Sequence, residues 1–403
     1  NAVSDLILTN DFVQAEKLAT PNTPTLTASP DGLAINGEWQ KVDKATSYEV
    51  QLYKDGTAIT GEGKKTTDQL SCDFAPIMVT NGVGSYTVDV KAIGNGSTTI
   101  DSEKSPQSVA FEKKSTKAGY FSIAPQEYTG SALTADIQVT TEGTAAGIVN
   151  VADHFTVTNN TTTEVSTPAH KVTLSPKSGS HFVGEVQLDF AVTQKPVTIT
   201  GITATAKAYD GTNNVKSASF LANAGVIAGK VVSDDVSVDV TTATGTTPNK
   251  NVGENIPVTM AGVKLGGTKA GNYTLSAQPT DVKIKVTAID LTVEGLTFAD
   301  KVYDGTADAT ISGTPTLAGV IEGDAVALKA TDFTKGTFAS SDAAKDITVN
   351  LVTPMGIEGA DIGNYNLIAP VGKAAITAQA TAVAPMTVEL KKGNTAQQSV
   401  SFE

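Results

Sequence analysis

Three short motifs occur twice in this chain, in the same order and at almost the same spacing. The pairs are Tyr209-Asp210-Gly211-Thr212 with Tyr303-Asp304-Gly305-Thr306, Gly225-Val226-Ile227 with Gly319-Val320-Ile321, and Gly271-Asn272-Tyr273 with Gly363-Asn364-Tyr365. Tyr303 follows Tyr209 by 94 residues, whereas solenoid repeats have periods of about 20–50 residues. We therefore expect each copy to be a domain with its own core. A more degenerate relative begins at Tyr128-Thr129-Gly130-Ser131.

The local pattern of the sequence predicts strands almost everywhere. Runs such as Tyr86-Thr87-Val88-Asp89-Val90-Lys91-Ala92 alternate apolar and polar residues, which is the period of a half-buried strand. Asp-Gly and Asn-Gly pairs between the runs are typical of hairpin turns. The chain contains 36 glycines and 16 prolines. We expect an all-β protein, with one amphipathic helix from Asp11 to Ala19, where Phe12 and Ala15 would share a face.

The repeats and short polar stretches divide the chain into domains. We predict an N-terminal segment, four sandwiches in an elongated array, and the start of a truncated further module or a C-terminal strand. The boundaries are 1–21, 22–113, 114–195, 196–287, 288–378 and 379–403. Linkers are placed near Thr20–Pro24, Glu112–Lys117, Gln194–Pro196 and Ala288–Asp290. Because these linkers are short, we expect stiff joints.

Particular residues resemble known families. Residues 22–112 resemble a fibronectin type III domain, through Trp39, Tyr48 and Tyr86 and a final hairpin expected near 95–106. Residues 118–193 are similar to MBG-like bacterial modules.

Residues 196–378 resemble two copies of the YDG-type bacterial repeat. The motifs beyond Tyr-Asp-Gly are Asp234-Asp235-Val236 and Asn251-Val252-Gly253 in the first copy, and Asp324-Ala325-Val326 in the second. The second copy has Ala344-Lys345-Asp346 in place of Asn-Val-Gly, which departs from the turn of the first copy. The resemblance implies immunoglobulin-like sandwiches of secreted or cell-surface proteins.

The charge of the chain argues against nucleic acid as a partner. The net charge is −13, and all 29 basic residues are lysines. An acidic field repels a polyanion, and arginine forks that bind phosphates and guanine edges are missing. The single cysteine, Cys72, allows no intrachain disulfide, and no apolar run is long enough to span a bilayer. We expect a monomeric extracellular protein.

Acidic and aromatic residues of the repeats suggest two kinds of ligand site. Asp300, Asp304 and Asp308 could supply oxygens to calcium, but their spacing is not that of an EF-hand, and a turn capped by the aspartate is the preferred interpretation. Tyr273 and Tyr365 could stack on sugars, although their place before alternating strands favours a core role.

No arrangement of residues predicts catalysis. His154, His170 and His181 fit no metal-ligand spacing, Ser180-His181 is only sequence adjacency, and Cys72 has no histidine nearby in the chain. The glycine-rich stretch 262–269 lacks the ending of a phosphate-binding loop. We expect no enzyme activity, no catalytic or metal-binding residues and no cofactor.

We therefore predict a non-catalytic stalk or adhesin segment of a bacterial surface protein. A host protein or glycan is the possible ligand, and the cell wall would be contacted through other parts of the protein. The alternative is an accessory, carbohydrate-binding region of a larger secreted or cell-wall enzyme. Internal Lys–Asn isopeptide bonds and bound calcium remain open at this stage.

Overall fold

The computed structural model describes residues 14–382, and these residues are predominantly strand. Their α-helices are short, at Ala75–Asn81, Thr141–Ala146 and Val151–His154. Their 3-10 helices are single turns, at Gly61–Gly63, Ala118–Tyr120, Ser217–Ser219, Ala222–Ala224, Ala270–Asn272 and Ile362–Asn364. No helix in residues 14–382 is long and apolar enough to cross a membrane. The prediction of an all-β chain is confirmed.

The predicted helix from Asp11 to Ala19 is wrong over its described part. Glu16–Lys17 is a strand that pairs in parallel with Thr99–Ile100, and residues 11–13 lie outside the described residues. Leu18 is buried in the adjacent core. Pairing with a distant strand therefore replaces the internal hydrogen bonds of a helix, as tertiary context commonly overrides weak helical preference.

By residue contacts the chain divides into two compact units. Within the described residues, one comprises residues 14–198, 227–237 and 265–276, and the other comprises residues 199–226, 238–264 and 277–382. Along the sequence we distinguish segment 1 (14–112), segment 2 (113–193), segment 3 (195–287) and segment 4 (289–377).

The strands of segment 1 are Glu16–Lys17, Thr25–Ala28, Ile35–Glu38, Ser47–Lys54, Thr57–Ala58, Lys64–Thr67, Ser71–Asp73, Gly84–Ile93, Thr99–Ile100 and Phe111–Ser115, the last continuing into segment 2. Those of segment 2 are Phe121–Ile123, Gln126–Glu127, Leu133–Thr134, Ile137–Val139, Phe155–Thr158, Thr161–Thr162, His170–Pro176, Phe182–Val183, Val186–Phe190 and Val192–Thr193.

The strands of segment 3 are Lys195–Thr200, Thr203–Ala204, Lys207–Ala208, Asn214–Val215, Phe220–Leu221, Val226–Ala228, Ser237–Asp239, Thr244–Thr246, Gly253–Pro257, Thr259–Ala261, Lys264–Gly266, Tyr273–Leu275 and Lys283–Thr287. Those of segment 4 are Ile289–Phe298, Lys301–Val302, Asp308–Ala318, Ala327–Leu328, Lys335–Phe338, Ala344–Leu351, Ile357–Glu358, Tyr365–Leu367 and Val371–Thr377.

Segment 1 has two antiparallel sheets around one core. Thr25–Ala28, Ile35–Glu38 and Ser71–Asp73 form the smaller sheet, and the larger one is built on Ser47–Lys54 paired with Gly84–Ile93. Alternate residues of these strands point into the core, as the alternating pattern predicts. The predicted core residues Trp39, Tyr48 and Tyr86 are buried.

The final hairpin expected near residues 95–106 turns at Gly96–Thr99, and its second arm runs antiparallel to Gly84–Ile93 as a ladder of serines instead of a regular strand. The hydroxyls of Ser102, Ser105 and Ser108 accept hydrogen bonds from the amides of Ala92, Val90 and Val88 at 2.9–3.1 Å. Their own amides donate to the carbonyls of the same three residues. Serines spaced by three residues match a polyproline-like path of about three residues per turn. The backbone amides and carbonyls on this edge of the strand Gly84–Ile93 are therefore hydrogen-bonded without a regular neighbouring strand.

Segments 2, 3 and 4 share one strand pattern. The first strand of each runs parallel to a short late strand, through Lys114↔Phe182, Lys195↔Tyr273 and Ile289↔Tyr365. A second short strand runs parallel to the last strand, through Gln126↔Val192, Lys207↔Val286 and Lys301↔Ile376. The degenerate relative that the sequence indicated upstream of the two repeats therefore has their strand pattern.

The altered turn of the second repeat keeps the backbone of the first. Gly253–Pro257 and Ala344–Leu351 each carry an irregularity, before Ile256 and Ile347. Asn255 and Asp346 both have φ of 54°. Asn and Asp are the non-glycine residues that tolerate this region best. Ala344-Lys345-Asp346 therefore aligns with Gly253-Glu254-Asn255, and the prediction that it stands in place of Asn251-Val252-Gly253 was out of register by two residues.

Candidate functional site

The Tyr-Asp-Gly-Thr motif forms a turn that the aspartate caps. Oδ1 of Asp210 accepts a hydrogen bond from the amide of Thr212 at 3.0 Å, and Oδ1 of Asp304 accepts one from Thr306 at 2.9 Å. Lys207 and Lys301 pair with the same carboxylates at 2.8 and 2.9 Å. The turn interpretation is confirmed. Residues 14–382 contain no group of three or more His, Cys, Asp or Glu placed to hold a metal ion.

The tyrosine of the motif occupies an equivalent position in segments 2, 3 and 4. The amides of Tyr128, Tyr209 and Tyr303 donate to the carbonyls of Thr193, Thr287 and Thr377 at 3.0, 2.8 and 2.8 Å. Each of these threonines ends the last strand of its segment. Tyr128 and Tyr209 are each 2% exposed, whereas Tyr303 is 41% exposed.

Tyr209 is buried because segment 4 covers it. Its hydroxyl donates to Oδ2 of Asp324 at 2.7 Å, and Tyr365 donates to the same oxygen at 2.5 Å. The two rings meet edge to face, with centroids 5.5 Å apart and planes at 74°. Edge-to-face packing is a favourable arrangement of aromatic rings. One carboxylate thus links tyrosines from two consecutive segments.

Tyr128 is covered by segment 3 in the same way. Its hydroxyl donates to Oδ2 of Asp234 at 2.7 Å, and Tyr273 donates there at 2.5 Å. The rings of Tyr128 and Tyr273 are 5.4 Å apart at 77°. We call the contact of segments 2 and 3 joint A, and the contact of segments 3 and 4 joint B.

The Gly-Asn-Tyr motif adds a backbone hydrogen bond to each joint. Oδ1 of Asn272 accepts from the amide of Val165 in joint A, and Oδ1 of Asn364 accepts from the amide of Val252 in joint B, both at 2.9 Å. Both asparagines are buried. Because a buried polar group without a partner is costly, these bonds require the neighbouring segment to be in place.

The motif glycine also lies in the joint. A Cβ on Gly211 would lie 2.7 Å from Cγ2 of Ile321, and one on Gly130 would lie 2.8 Å from Cγ1 of Val231. At Gly305 a Cβ would meet nothing within 4 Å. All three glycines have positive φ, so the turn and the joint both favour glycine at Gly130 and Gly211.

Hydrogen bonds and charge stabilise the ionised carboxylates of the joints. Burial alone would raise the pKa of Asp324, but hydrogen bonds from Lys250, Tyr365 and Tyr209 outweigh it and lower the pKa to about 2. The hydrogen bond from Tyr273, with a further one from Tyr128, lowers the pKa of Asp234 against the effect of burial. Burial and the adjacent carboxylate raise the pKa of Tyr365 to about 12.

The ion pairs of the two joints have opposite polarity. In joint A the earlier segment provides an acid, Glu164, which pairs with Lys269. In joint B the earlier segment provides a base, Lys250, which pairs with Asp324 and lies 3.3 Å from Asp361. Lys269 and Asp361 occupy the same position, directly before the 3-10 turn that contains the Gly-Asn pair.

Segments 1 and 2 meet around a buried lysine. Lys113 is 1% exposed, and its ammonium donates to the carbonyl oxygens of Ser178, at 2.9 Å, and Ser180. Burial lowers the pKa of Lys113 to about 8. His181 stacks on Phe111, with centroids 4.0 Å apart. His181 is half-buried in a bend that follows the turn at residues 178–179, and its ring packs against segment 1.

The remaining candidate residues take part in the packing and hydrogen bonding of the fold itself. Tyr273 and Tyr365 are 3% and 6% exposed, so they are unavailable for stacking on a sugar. Asp300 accepts the amide of Ala375 at 2.6 Å. Cys72 is half-buried, and burial raises the pKa of its thiol.

The two repeats correspond to a known sequence family. The family described as "YDG domain" matches residues 193–281 and 287–376. Both YDG matches include the Tyr-Asp-Gly turn, the joint aspartate and the Gly-Asn-Tyr motif. A search of curated proteins finds no match to the chain.

Several solved structures align with parts of the chain at low similarity. One is described as "Structure of FN3tt mut" (21% identity, 22% of this chain and 93% of that chain, TM-score 0.17). Another is described as "Ca2+-stabilized adhesin helps an Antarctic bacterium reach out and bind ice" (14% identity, 90% and 100%, TM-score 0.17). A third is described as "Structural insight into host cell surface retention of a 1.5-MDa bacterial ice-binding adhesin" (12%, 89% and 98%, TM-score 0.16). At such TM-scores these likenesses establish neither fold nor function.

Sequence reasoning missed that the YDG tyrosine links neighbouring segments. The motif was interpreted only as a turn capped by its aspartate, but the hydroxyl of Tyr209 also donates to a side chain of segment 4. One sequence feature could have indicated the acceptor of this hydroxyl. Both YDG copies carry an aspartate before the Gly-Asn-Tyr motif, Asp234 in the first and Asp324 in the second.

Proposed function

We propose that this chain is a non-catalytic stalk segment of a bacterial extracellular protein, in which each YDG-type repeat is fixed to the preceding module. The modules are the four predicted sandwiches, 22–113, 114–195, 196–287 and 288–378, the first of fibronectin type III type and the second MBG-like. A host protein or glycan would be contacted from loops or strand edges at the surface.

The observation that supports this proposal is the recurrence of one joint. Joints A and B repeat the same three interactions: two tyrosines on one aspartate, an edge-to-face ring pair, and an asparagine on a backbone amide. An arrangement that occurs at two successive contacts serves the relation between modules, since a catalytic centre needs to occur only once.

The connections between segments support the same proposal. One residue, Gln194, separates the strand Val192–Thr193 from Lys195–Thr200, and one residue, Ala288, separates Lys283–Thr287 from Ile289–Phe298. The linkers predicted at these places are therefore largely strand. A one-residue connection has little conformational freedom, and the joint bonds reduce it further.

The test compares the full chain with the variant Asp234→Ala/Asp324→Ala by small-angle X-ray scattering. The variant removes both acceptors, and we expect its profile to change from that of one defined particle to that of a broader ensemble. Tyr303→Ala is the matched control, because Tyr303 is the equivalent residue outside a joint, and it should leave the profile unchanged. Identical profiles for all three proteins would contradict the proposal.

A second measurement separates a stalk from an adhesin. The wild-type chain is passed over arrays of mucins and matrix proteins, and a pure stalk is expected to show no retention. Retention on a component that survives both joint substitutions would place a binding surface elsewhere on the modules and make this region an adhesin.

A further inference from the structure

Segment 4 presents the motif tyrosine of a joint, and no further segment among residues 14–382 packs on it. Tyr303 has the backbone position of Tyr128 and Tyr209, yet it is 41% exposed where they are 2% exposed. The space above Gly305 is open, where Val231 and Ile321 pack on Gly130 and Gly211. The surface that segments 2 and 3 use for docking is therefore accessible on segment 4.

The second part of the joint surface can be located by strand register. Gly253 pairs with Val286 and Ala344 pairs with Ile376, at the start of equivalent strands. The residue before Ala344 is Ala343, which therefore corresponds to Val252, and Asp342 corresponds to Asn251. The local bonding agrees: Asn249 accepts the amide of Asn251 at 3.0 Å, and Ser340 accepts that of Asp342 at 3.1 Å.

The charge at this place matches joint A. Val165 and Val252 donate to the joint asparagines, so Glu164 has the position of Asn251 and of Asp342. Glu164 binds Lys269 and also accepts from Asn272 at 2.6 Å. Segment 4 thus presents a carboxylate where segment 2 does, and Ser341 where segment 3 has Lys250.

We propose that Tyr303, Asp342 and the amide of Ala343 form a docking surface for a following YDG-type segment that carries a joint aspartate and Lys-x-Gly-Asn-Tyr. The aspartate accepts from Tyr303, the asparagine accepts from Ala343, and the lysine pairs with Asp342. A segment with an acid at the lysine position, like Asp361 of segment 4 itself, is disfavoured because it faces Asp342. The inference rests on the proposed function, since it extends the same joint by one segment.

A second copy of this chain does not fit as the occupant. The docking side of each YDG-type repeat is a joint aspartate with its Gly-Asn-Tyr tyrosine. Both such pairs of the chain are already bound, Asp234 and Tyr273 to Tyr128, and Asp324 and Tyr365 to Tyr209. At joints A and B the docking segment is the next one in the chain, so the occupant we assign is a segment that follows in line.

The experiment inserts one additional segment after Ala378 in the full chain. One variant receives a copy of residues 195–287, with lysine at the position of Lys269, and the matched variant receives a copy of 289–377, with Asp361. Ala378 then forms the one-residue connection to the added segment, as Gln194 and Ala288 do between the resident segments. Hydrogen exchange of the Ala343 amide reports docking, and the Val165 and Val252 amides report the resident joints.

We expect the copy of 195–287 to slow exchange at Ala343 by at least about tenfold, because a hydrogen-bonded amide exchanges only through opening. The copy of 289–377 should protect it about fivefold less, since like charges meet. Asp342→Lys should reverse this order.

Each other outcome overturns the inference. If the two copies protect the Ala343 amide equally, both before and after Asp342→Lys, the charge at Asp342 does not select the segment that docks. No protection by either copy, with Val165 and Val252 still protected, shows that segment 4 does not dock a following segment. Loss of protection at Val165 and Val252 in the wild-type chain would instead contradict the proposed function.

Discussion

Asp324 shows how a single carboxylate can hold two segments together. It accepts hydrogen bonds from Tyr209 and Tyr365 and pairs with Lys250, while its side chain is 2% exposed. A buried carboxylate is tolerated only when such partners compensate for lost hydration. Its three partners come from two segments, so separation of the segments leaves the charge without two of them.

Removing one hydroxyl from this cluster should weaken joint B selectively. We expect Tyr209→Phe to destabilise the protein by about 1.5 kcal/mol, because it deletes a hydrogen bond to a charged acceptor. Tyr303→Phe, at the equivalent exposed position, should cost less than about 0.5 kcal/mol. Urea denaturation measures both, and equal effects would show that the joint bond adds nothing.

The joints should loosen in acid. The pKa of Asp324 falls from its ordinary value to about 2 in the folded chain, and that of Asp234 is also lowered. A carboxylate whose pKa is lowered by folding contributes its full stabilisation of the folded state above the ordinary pKa of about 3.9. That stabilisation is lost as the pH falls towards the pKa of the folded state. Exchange at the Val252 amide, measured against that of a core amide such as Val349, should therefore rise between about pH 4 and pH 2. A constant ratio would contradict the assignment.

At the scale of elements, the sequence predicted strands and turns well but their connections poorly. Alternation located Tyr86, Val88 and Val90 on one buried face, because a period of two is local information. The second arm of the predicted hairpin, with Ser102, Ser105 and Ser108, has no such period, and it is a serine ladder instead of a regular strand. Glu16–Lys17 depends on pairing with Thr99–Ile100, which no local window contains.

The strand irregularity at Asp346 provides a test at this scale. Asp346→Val should destabilise segment 4 by about 1–2 kcal/mol, because a β-branched residue is strained at positive φ. Asp346→Asn should be close to neutral, since Asn255 has the same conformation in segment 3. Thermal unfolding compares the two variants. A valine variant as stable as wild type would show that this φ is not required.

At the scale of the whole molecule, the repeats could be predicted and the joints could not. Tyr209 and Tyr303 are identical in motif and local hydrogen bonds, yet their exposure differs because, in the part of the chain that the structure describes, a segment packs on Tyr209 alone. Motif comparison therefore identifies the surface but not its occupant. The polarity of the ion pairs, Glu164 with Lys269 against Lys250 with Asp361, is also visible only once the segments are placed.

That polarity predicts how joints can be exchanged. Asp361→Lys should weaken joint B about fivefold in Val252 exchange, because the new lysine faces Lys250. Adding Lys250→Thr and Asn251→Glu reproduces Thr163 and Glu164 of joint A and should restore protection. Failure of the triple variant to recover, with segment 4 still folded, would show that the charges do not determine which segments fit.

The parallel end strands have a mechanical consequence. In segment 4 the first strand is held through Ile289↔Tyr365 and the last through Lys301↔Ile376. Tension between the two ends pulls along these strands, and the evenly spaced, slanted hydrogen bonds of parallel pairs cross from strand to strand, so several must rupture together in shear. A tether assembled from such units would resist stretching before it yielded, and would yield one unit at a time.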